Sequence, residues 1–385
     1  MKINKAFKYR IYPNKTERNY IEKCFAGCRV VYNCLLYDIK TERENNPDIK
    51  QNLSKFGLSY KVKELKQKED KDWLYECDAN ALIFEAHNLA DGFQKFFRDL
   101  KIGNNPGYPK FKNKNESCQS FRTYGKISLN SDGLKIPKLD TRIKVVEHRK
   151  LEGTLKQVTI SRKNDKYYVS CMVVMEKDIA KVPIKKTIGL DFGVQDFATT
   201  SDGKVVKNPA FLVESSNYLA ILQRKRANAV KGSNNYKKLS KKIAELHERI
   251  VNRRKHFHYN VIKDLLCEND KIYIQNLDVK KMTKKKDPNF DGYNKNKLNR
   301  KVLDCAPHTF HSRLKYKAEW QGKEVEKIKK YEPTTATCGK CGTVNLKPQL
   351  KASAWICKSC WTVNKRDLNG AKNILKAGNR KFAGV

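Results

Sequence analysis

The chain has 385 residues, with 81 Lys and Arg against 41 Asp and Glu, a formal net charge of +40 at pH 7 and a pI near 9.7. It is too long for one ordinary domain, and so large a positive excess calls for a polyanion as a constant partner, with nucleic acid the expected one. No apolar run approaches transmembrane length, the opening Met1–Lys8 lacks the apolar core of a secretory signal, and no basic amphipathic helix stands beside an apolar anchor. A membrane or secreted protein is therefore not expected, and an intracellular location is.

Twelve cysteines divide into eight scattered singly and four in a cluster near the C-terminal end. In a reducing compartment the single ones read as small buried hydrophobes. The clustered four need another explanation.

Taken in order, Lys5–Tyr12 alternates with period two and predicts a strand, and Pro13-Asn14-Lys15-Thr16 predicts a helix start with Thr16 as N-cap. Apolar residues at helical spacing (Ile21, Phe25, Cys28, Val31, Cys34, Leu35) predict a helix over 17–45, and segments 53–70 and 80–101 continue the pattern. Around 103–114 the composition turns to Gly, Pro and Asn with lysines and aromatics interleaved. This is either a solvated linker or a nucleic-acid contact in which rings meet bases and lysines meet phosphates. Short alternating runs with turn signals over 120–175 predict a small antiparallel barrel or sandwich, which the first strand joins.

The stretch Thr187–Gly203 (TIGLDFGVQDFATTSDG) reads as a strand ending in a carboxylate, a glycine kink, a second strand and a turn. Asp191 is either a turn aspartate or a metal-holding carboxylate on a rigid strand. Residues 218–267 predict a basic helical stretch, broken at Lys-Gly-Ser-Asn-Asn, with one apolar stripe (Leu239, Ile243, Leu246, Ile250) and cationic remaining faces suited to a phosphate backbone. A short β-branched run, Lys271–Ile274, ends at Gln275. Residues 280–301 lack periodicity and predict a loop, followed by a helix over 311–321 and a strand over 324–328.

Cys338-Gly-Lys-Cys341 and Cys357-Lys-Ser-Cys360 form two CxxC pairs with 15 residues between them. Each pair sets two thiolates on one tight turn, and two such knuckles close a tetrahedral, structural zinc site. No strand–helix context of a redox dithiol surrounds either pair. Asp367 follows at the head of a helix whose small residues, Gly370 and Ala371, permit close approach to a neighbour.

These residues together resemble TnpB, the transposon-encoded RNA-guided nuclease family related to the type V CRISPR effectors. The resemblance spans nearly the whole chain: KAFKYRIYPN, GLDFGVQDFATTSDG, LHERIVNRRK, LKYKAEWQG, YEPTTATCGKCG and RDLNGAKNI occur in the family's order. It implies an α+β multidomain fold: a wedge β-barrel (1–13 and 118–182) with an inserted helical recognition lobe (14–117), then a RuvC domain of RNase H type (183–385) carrying a zinc ribbon (331–362). It also implies a cytoplasmic, nucleoid-associated prokaryotic protein with a guide RNA of the omega-RNA kind and double-stranded target DNA as partners.

The family's nuclease site is an Asp, a Glu and an Asp holding two magnesium ions. Asp191 matches the first and Asp367 the third, but Gln275 stands where the resemblance implies the Glu. Glutamine lacks the charge and is a weaker oxygen ligand, so the expected function is RNA-guided, adjacent-motif-dependent DNA binding with impaired cleavage. The alternatives are a native nuclease-dead RNA-guided repressor, a guide-free zinc-ribbon DNA-binding regulator or transposition accessory, and a nuclease whose third ligand is Asp278 or Asp304. Candidate phosphate contacts are Lys110, Lys112, Arg122, Arg224, Lys225, Arg226, Arg253 and Arg254.

Overall fold

The structure, a computed structural model, describes residues 2–114, 118–283, 292–330, 332–345 and 353–380. The chain divides into two compact units, Met1–Asp178 and Ile179–Val385.

The first unit opens with β1 (Lys2–Tyr12), in which Phe7, Tyr9 and Ile11 point inward while Lys8 faces out and Arg10 is half-buried. Three helices follow, α1 (Lys15–Asn45), α2 (Lys55–Lys66) and, after a 3₁₀ segment at Glu69–Glu76, α3 (Ala79–Lys101). The N-cap of α1 is Asn14 rather than Thr16. Its side chain accepts from the Glu17 amide at 2.9 Å and Glu17 accepts from the Asn14 amide at 2.8 Å, a reciprocal box that a threonine two positions later cannot form.

Six strands complete this unit: β2 (Cys118–Thr123), β3 (Ser128–Asn130), β4 (Gly133–Lys135), β5 (Lys144–Val146), β6 (Thr154–Lys163) and β7 (Lys166–Glu176). The main sheet is antiparallel, in the order β2-β6-β7-β1-β5, with β1 paired along its length to β7. Among the described residues β2 and β5 remain at opposite ends, so no closed barrel is present there. One continuous core joins the sheet to the buried stripes of α1, α2 and α3. Because the helices supply half of that core, the sheet does not have to close on itself to bury its apolar face.

The second unit begins with β8 (Thr187–Phe192), β9 (Asp196–Thr200) and β10 (Val205–Lys207), then α4 (Phe211–Glu214), α5 (Ser216–Ala227) and α6 (Asn234–Glu268). Ser233 caps α6, accepting from the Tyr236 amide, and Gly232 supplies the positive φ of 88° that turns the chain between α5 and α6. Leu219 and Leu222 pack on Ile243, Leu246 and Ile250, which leaves the basic faces of this hairpin outward.

The remaining elements are β11 (Lys271–Ile274), α7 (Val279–Met282), α8 (Gly292–Cys305), α9 (Pro307–Glu319), β12 (Glu324–Lys327), β13 (Ala354–Ile356), β14 (Val363–Lys365) and α10 (Arg366–Arg380). The loop expected over 280–301 is corrected by α7 and α8, while its middle, residues 284–291, lies outside the described residues. Among the described residues of α8, Asn299, Val302, Asp304 and Cys305 are buried, too short and too polar a stripe to stand out in the sequence.

The second sheet has the order β10-β9-β8-β11-β12, with β8, β11 and β12 parallel and the β8–β9–β10 run antiparallel. β8 and β11 are buried strands, read in the sequence as unbroken apolar runs. A core of Ile188, Leu190, Ile272, Ile274, Phe310, Leu314 and the C-terminal part of α6 fills one face, while α10 covers the other. No helix among the described residues is long and apolar enough to cross a membrane.

Candidate functional site

In a parallel pair the carboxyl ends of the strands lie side by side, and here Leu190 of β8 is in register with Ile274 of β11. The next residue on each strand is Asp191 and Gln275, so the sheet register alone brings these two side chains together. Gln275 Nε2 donates to Asp191 Oδ1 at 2.7 Å and also lies 3.2 Å from Thr334 Oγ1. Asp191 is 5 % exposed.

Asp367 enters from above, at the head of α10, where Arg366 Nε donates to its Oδ1 at 2.8 Å. The approach of α10 depends on its small residues. A Cβ at Gly370 would stand 2.7 Å from Asp191 Oδ2, and one at Gly189 on β8 would collide with the Ala371 carbonyl of α10. The small pair expected to admit a neighbour thus admits β8 with its carboxylate.

Burial and then the negative charge of Asp367 push Asp191 up to about 8, with the Arg366 guanidinium pulling the other way. A buried carboxylate that resists ionising beside a second one is a group waiting for a cation. Two carboxylates meet the needs of one magnesium ion, which commonly binds through one or two of them. Among the described residues no third carboxylate joins them in a cluster. Asp304 accepts from the Leu212 amide at 2.8 Å and pairs with Arg254, and Asp278 pairs with Lys330 at 3.4 Å. The expectation that either completes the site is corrected on that ground.

The four clustered cysteines come together. Their sulfurs all lie within 4.8 Å of one another, with Cys338–Cys360 and Cys341–Cys357 each at 3.6 Å. Zinc–sulfur bonds of about 2.3 Å in a tetrahedron require sulfur separations of about 3.8 Å, so the site fits a metal such as zinc. The Thr343 hydroxyl, 3.4 Å from Cys341, pulls that thiol down to about 6, toward the thiolate a metal needs.

The ribbon is tied to the head of α10. Asn369 Oδ1 accepts from the Gly339 amide at 2.8 Å, while Asn369 Nδ2 and Asn373 Nδ2 donate to the Thr337 carbonyl and Asn373 also reaches Thr334. Thr334, Asn369 and Asn373 were not singled out from the sequence. A signal existed, since asparagines four apart inside a helix compete with its backbone unless their amides are engaged elsewhere.

The eight candidate phosphate contacts separate into two groups. Lys110, Arg122, Arg224 and Lys225 are exposed, and Arg226 lies over the Tyr236 ring at 5.9 Å. Arg253 is half-exposed, paired with Glu214 at 2.9 Å and stacked on Phe211. Lys112 and Arg254 are less exposed, each drawn toward a buried carboxylate, Glu85 and Asp304 respectively, that would otherwise be left without a counter-charge.

The fold is a multidomain α+β one whose second sheet sets Asp191 at the carboxyl end of β8, with Asp367 above it and a four-cysteine cluster fastened to the helix that carries the second carboxylate. Three family profiles match in sequence: a helix-turn-helix domain of the IS605 OrfB group over residues 1–47, the IS605 OrfB "probable transposase" over 170–286, and the Cas12f1-like TNB domain over 308–374. Over most of its length the chain is thus similar to the TnpB/IS605 OrfB family.

Its relatives include a "putative RNA-guided DNA endonuclease" of Streptomyces pristinaespiralis, 29% identical over 98% of this chain and 90% of the relative. Another, InsQ of Escherichia coli K12, bears the same description and is 28% identical over 100% of this chain and 94% of the relative. The mimivirus TnpB-like protein L79 is 31% identical over 50% of this chain and 38% of the relative. Among solved structures, Cas12f1 in its sgRNA–target DNA complex aligns over 97% of this chain and 98% of its own, with a TM-score of 0.47 and 14% identity.

Proposed function

We propose that this protein binds double-stranded DNA under the direction of a guide RNA, reads a short duplex motif beside the target, and cuts poorly or not at all. The family likeness, with relatives described as RNA-guided DNA endonucleases, supports the guide-directed part. The observation that carries the second part is the Gln275 amide donating to Asp191.

Asp191 and Asp367 would hold a magnesium ion, whose charge would activate water and steady the leaving oxygen of a phosphodiester. Gln275 brings no charge to a second such ion, and its N–H occupies Asp191 Oδ1. A glutamate there would instead set a third negative charge against two carboxylates, tolerable only with cations present. The four cysteines hold zinc in a structural role, and Asn369 and Asn373 use the ribbon so ordered to fix the head of α10, and hence Asp367.

That Gln275 is satisfied by both Asp191 and Thr334 favours a second reading of the same kind, in which the loss of cutting is native and the bound complex acts as a repressor. The test loads the purified chain with candidate guide RNAs and offers it target duplexes with randomised flanks in Mg²⁺. The reading expects retained RNA, guide-directed capture of duplexes sharing a flanking motif, and recovery of those duplexes uncut. Capture of duplex by RNA-free protein, indifferent to the guide, would favour a guide-free DNA-binding regulator instead.

A further inference from the structure

The ribbon contains an internal repeat. Cys338-Gly-Lys-Cys-Gly-Thr-Val-Asn345 and Cys357-Lys-Ser-Cys-Trp-Thr-Val-Asn364 agree at five of eight positions, and the structure repeats the agreement bond for bond. The first cysteine of each knuckle donates its N–H to the threonine carbonyl (Cys338 to Thr343 at 2.9 Å, Cys357 to Thr362 at 3.0 Å). Its carbonyl in turn accepts from the residue after the second cysteine, Gly342 in one knuckle and Trp361 in the other, at 3.0 Å in both. Each closing asparagine donates to the first sulfur of the opposite knuckle, Asn345 to Cys357 at 3.5 Å and Asn364 to Cys338 at 3.6 Å.

Against this symmetry one difference stands out. The residue after the second cysteine has a left-handed backbone in both knuckles, φ 79° at Gly342 and 56° at Trp361. Glycine takes this conformation freely, whereas a bulky side chain takes it at a cost. The first knuckle uses glycine there. The second holds a tryptophan whose ring is 77 % exposed and stacks on no other ring among the described residues. Neither folding nor metal binding explains it, since Gly342 meets both needs with no side chain at all.

Ile356 and Val363, directly paired across β13 and β14, are 56 and 64 % exposed beside it and extend an apolar face. The surroundings are cationic: Lys340, Lys358 and Lys365 are exposed, and from Pro333 to Arg366 the sequence contains no Asp or Glu. An exposed, strained aromatic with flanking lysines, in a stretch without acids from Pro333 to Arg366, fits a flat, uncharged ring carried on a polyanion. A partner protein's apolar side chain would not need the cations.

We propose that Trp361 is a stacking site for an unpaired nucleobase of a single-stranded nucleic acid, with Lys358 and Lys365 meeting the adjoining phosphates. The proposal rests on the nucleic-acid reading above but not on guide-directed targeting. Because the glycine counterpart already exists in the same fold, Trp361→Gly removes the ring without creating strain or a cavity.

The experiment uses the zinc-loaded full chain, dT15 and U15 oligonucleotides, fluorescence anisotropy for affinity and tryptophan emission for the contact. Wild type is expected to bind with quenching of an exposed tryptophan. Trp361→Gly should bind about 5- to 150-fold more weakly with that quenching lost, Trp361→Phe should fall between, and the glycine variant should melt no lower than wild type. The dT15 and U15 arms decide whether the strand is DNA or RNA. Binding of both oligonucleotides by Trp361→Gly within twofold of wild type would overturn the proposal, as would Trp361-dependent self-association that oligonucleotide does not compete away. A Trp361-dependent affinity in a protein that shows no guide-directed capture would leave this site standing and remove the guided-targeting reading instead.

Discussion

Gln275, the residue that follows β11, and Asp191 of the adjacent parallel strand β8 are joined by a 2.7 Å hydrogen bond in which the amide donates and the carboxylate accepts. The amide thereby satisfies a buried acid that would otherwise need a cation. Its replacement by glutamate changes a donor into a third anion within a site where Asp191 is already pushed up to about 8. In metal-free buffer Gln275→Glu is expected to lower stability by roughly 1–3 kcal/mol, the cost of a buried polar group losing its partner. Added Mg²⁺ should restore the variant's melting midpoint and raise that of wild type by less, which thermal denaturation with and without Mg²⁺ will check.

At Gly370 the helix α10 passes close to that acid. Gly370→Ala places a methyl within 2.7 Å of Asp191 Oδ2, so the helix must withdraw from β8 or the carboxylate must turn. Destabilisation of about 1–3 kcal/mol is expected from overpacking, read as a lower urea midpoint with an unchanged slope. An alanine at Gly203, where nothing stands within 4 Å of a Cβ, meets no such collision and should cost less, as strain from its positive φ alone.

Two histidines give the second unit a predicted acid limit. His258 accepts from Arg313 at Nδ1 and bonds the Cys305 carbonyl through Nε2, an arrangement that holds only for the neutral ring. Burial, then Arg313 and Arg254, pull it down to about 4, and burial, then Lys327 and His308, pull His311 to about 3. Both folded values lie below the unfolded one, so the unfolded chain takes up protons first and stability falls as pH drops below about 6.5. A loss of roughly 1–3 kcal/mol between pH 6.5 and 5 is expected from this linkage. Urea unfolding at the two pH values should detect it, and His311→Leu should reduce it.

Metal removal should be felt beyond the ribbon. Asn369 and Asn373 attach α10 to the ribbon backbone, and α10 carries Asp367. Cys357→Ser or a zinc chelator is therefore expected to lower the melting midpoint by at least about 5 °C and to weaken Mg²⁺ stabilisation of Gln275→Glu, since a site that loses its fixed geometry loses its ion. Zinc content by atomic absorption should fall in step with the midpoint.

The sequence made some of these relationships legible and hid others. The strand that delivers Asp191, the Gln275 position and the four cysteines carry local signals: an apolar run, a resemblance to a family, a spacing. The inward turn of Lys112 and Arg254 left no such trace, because a cation's preference for Glu85 or Asp304 over solvent depends on burial that only the fold creates. The open first sheet was hidden for the same reason. Alternation in β1, β6 and β7 reports one buried face, but whether other strands or helices cover that face is a tertiary matter. Asn14 in place of Thr16 as the cap of α1 shows the limit of boundary reading, where two capping residues compete within one turn.

On the function proposed above, the amide at Gln275 separates binding from cutting. The most direct measurement of that claim is single-turnover cleavage of one target duplex in Mg²⁺ by the wild-type chain and by Gln275→Glu, each loaded with the same guide RNA and matched for target binding. Restoring the missing anion of a two-ion site is expected to raise the cleavage rate by two or more powers of ten, with target affinity unchanged. Equal cleavage rates in the two proteins would contradict the claim.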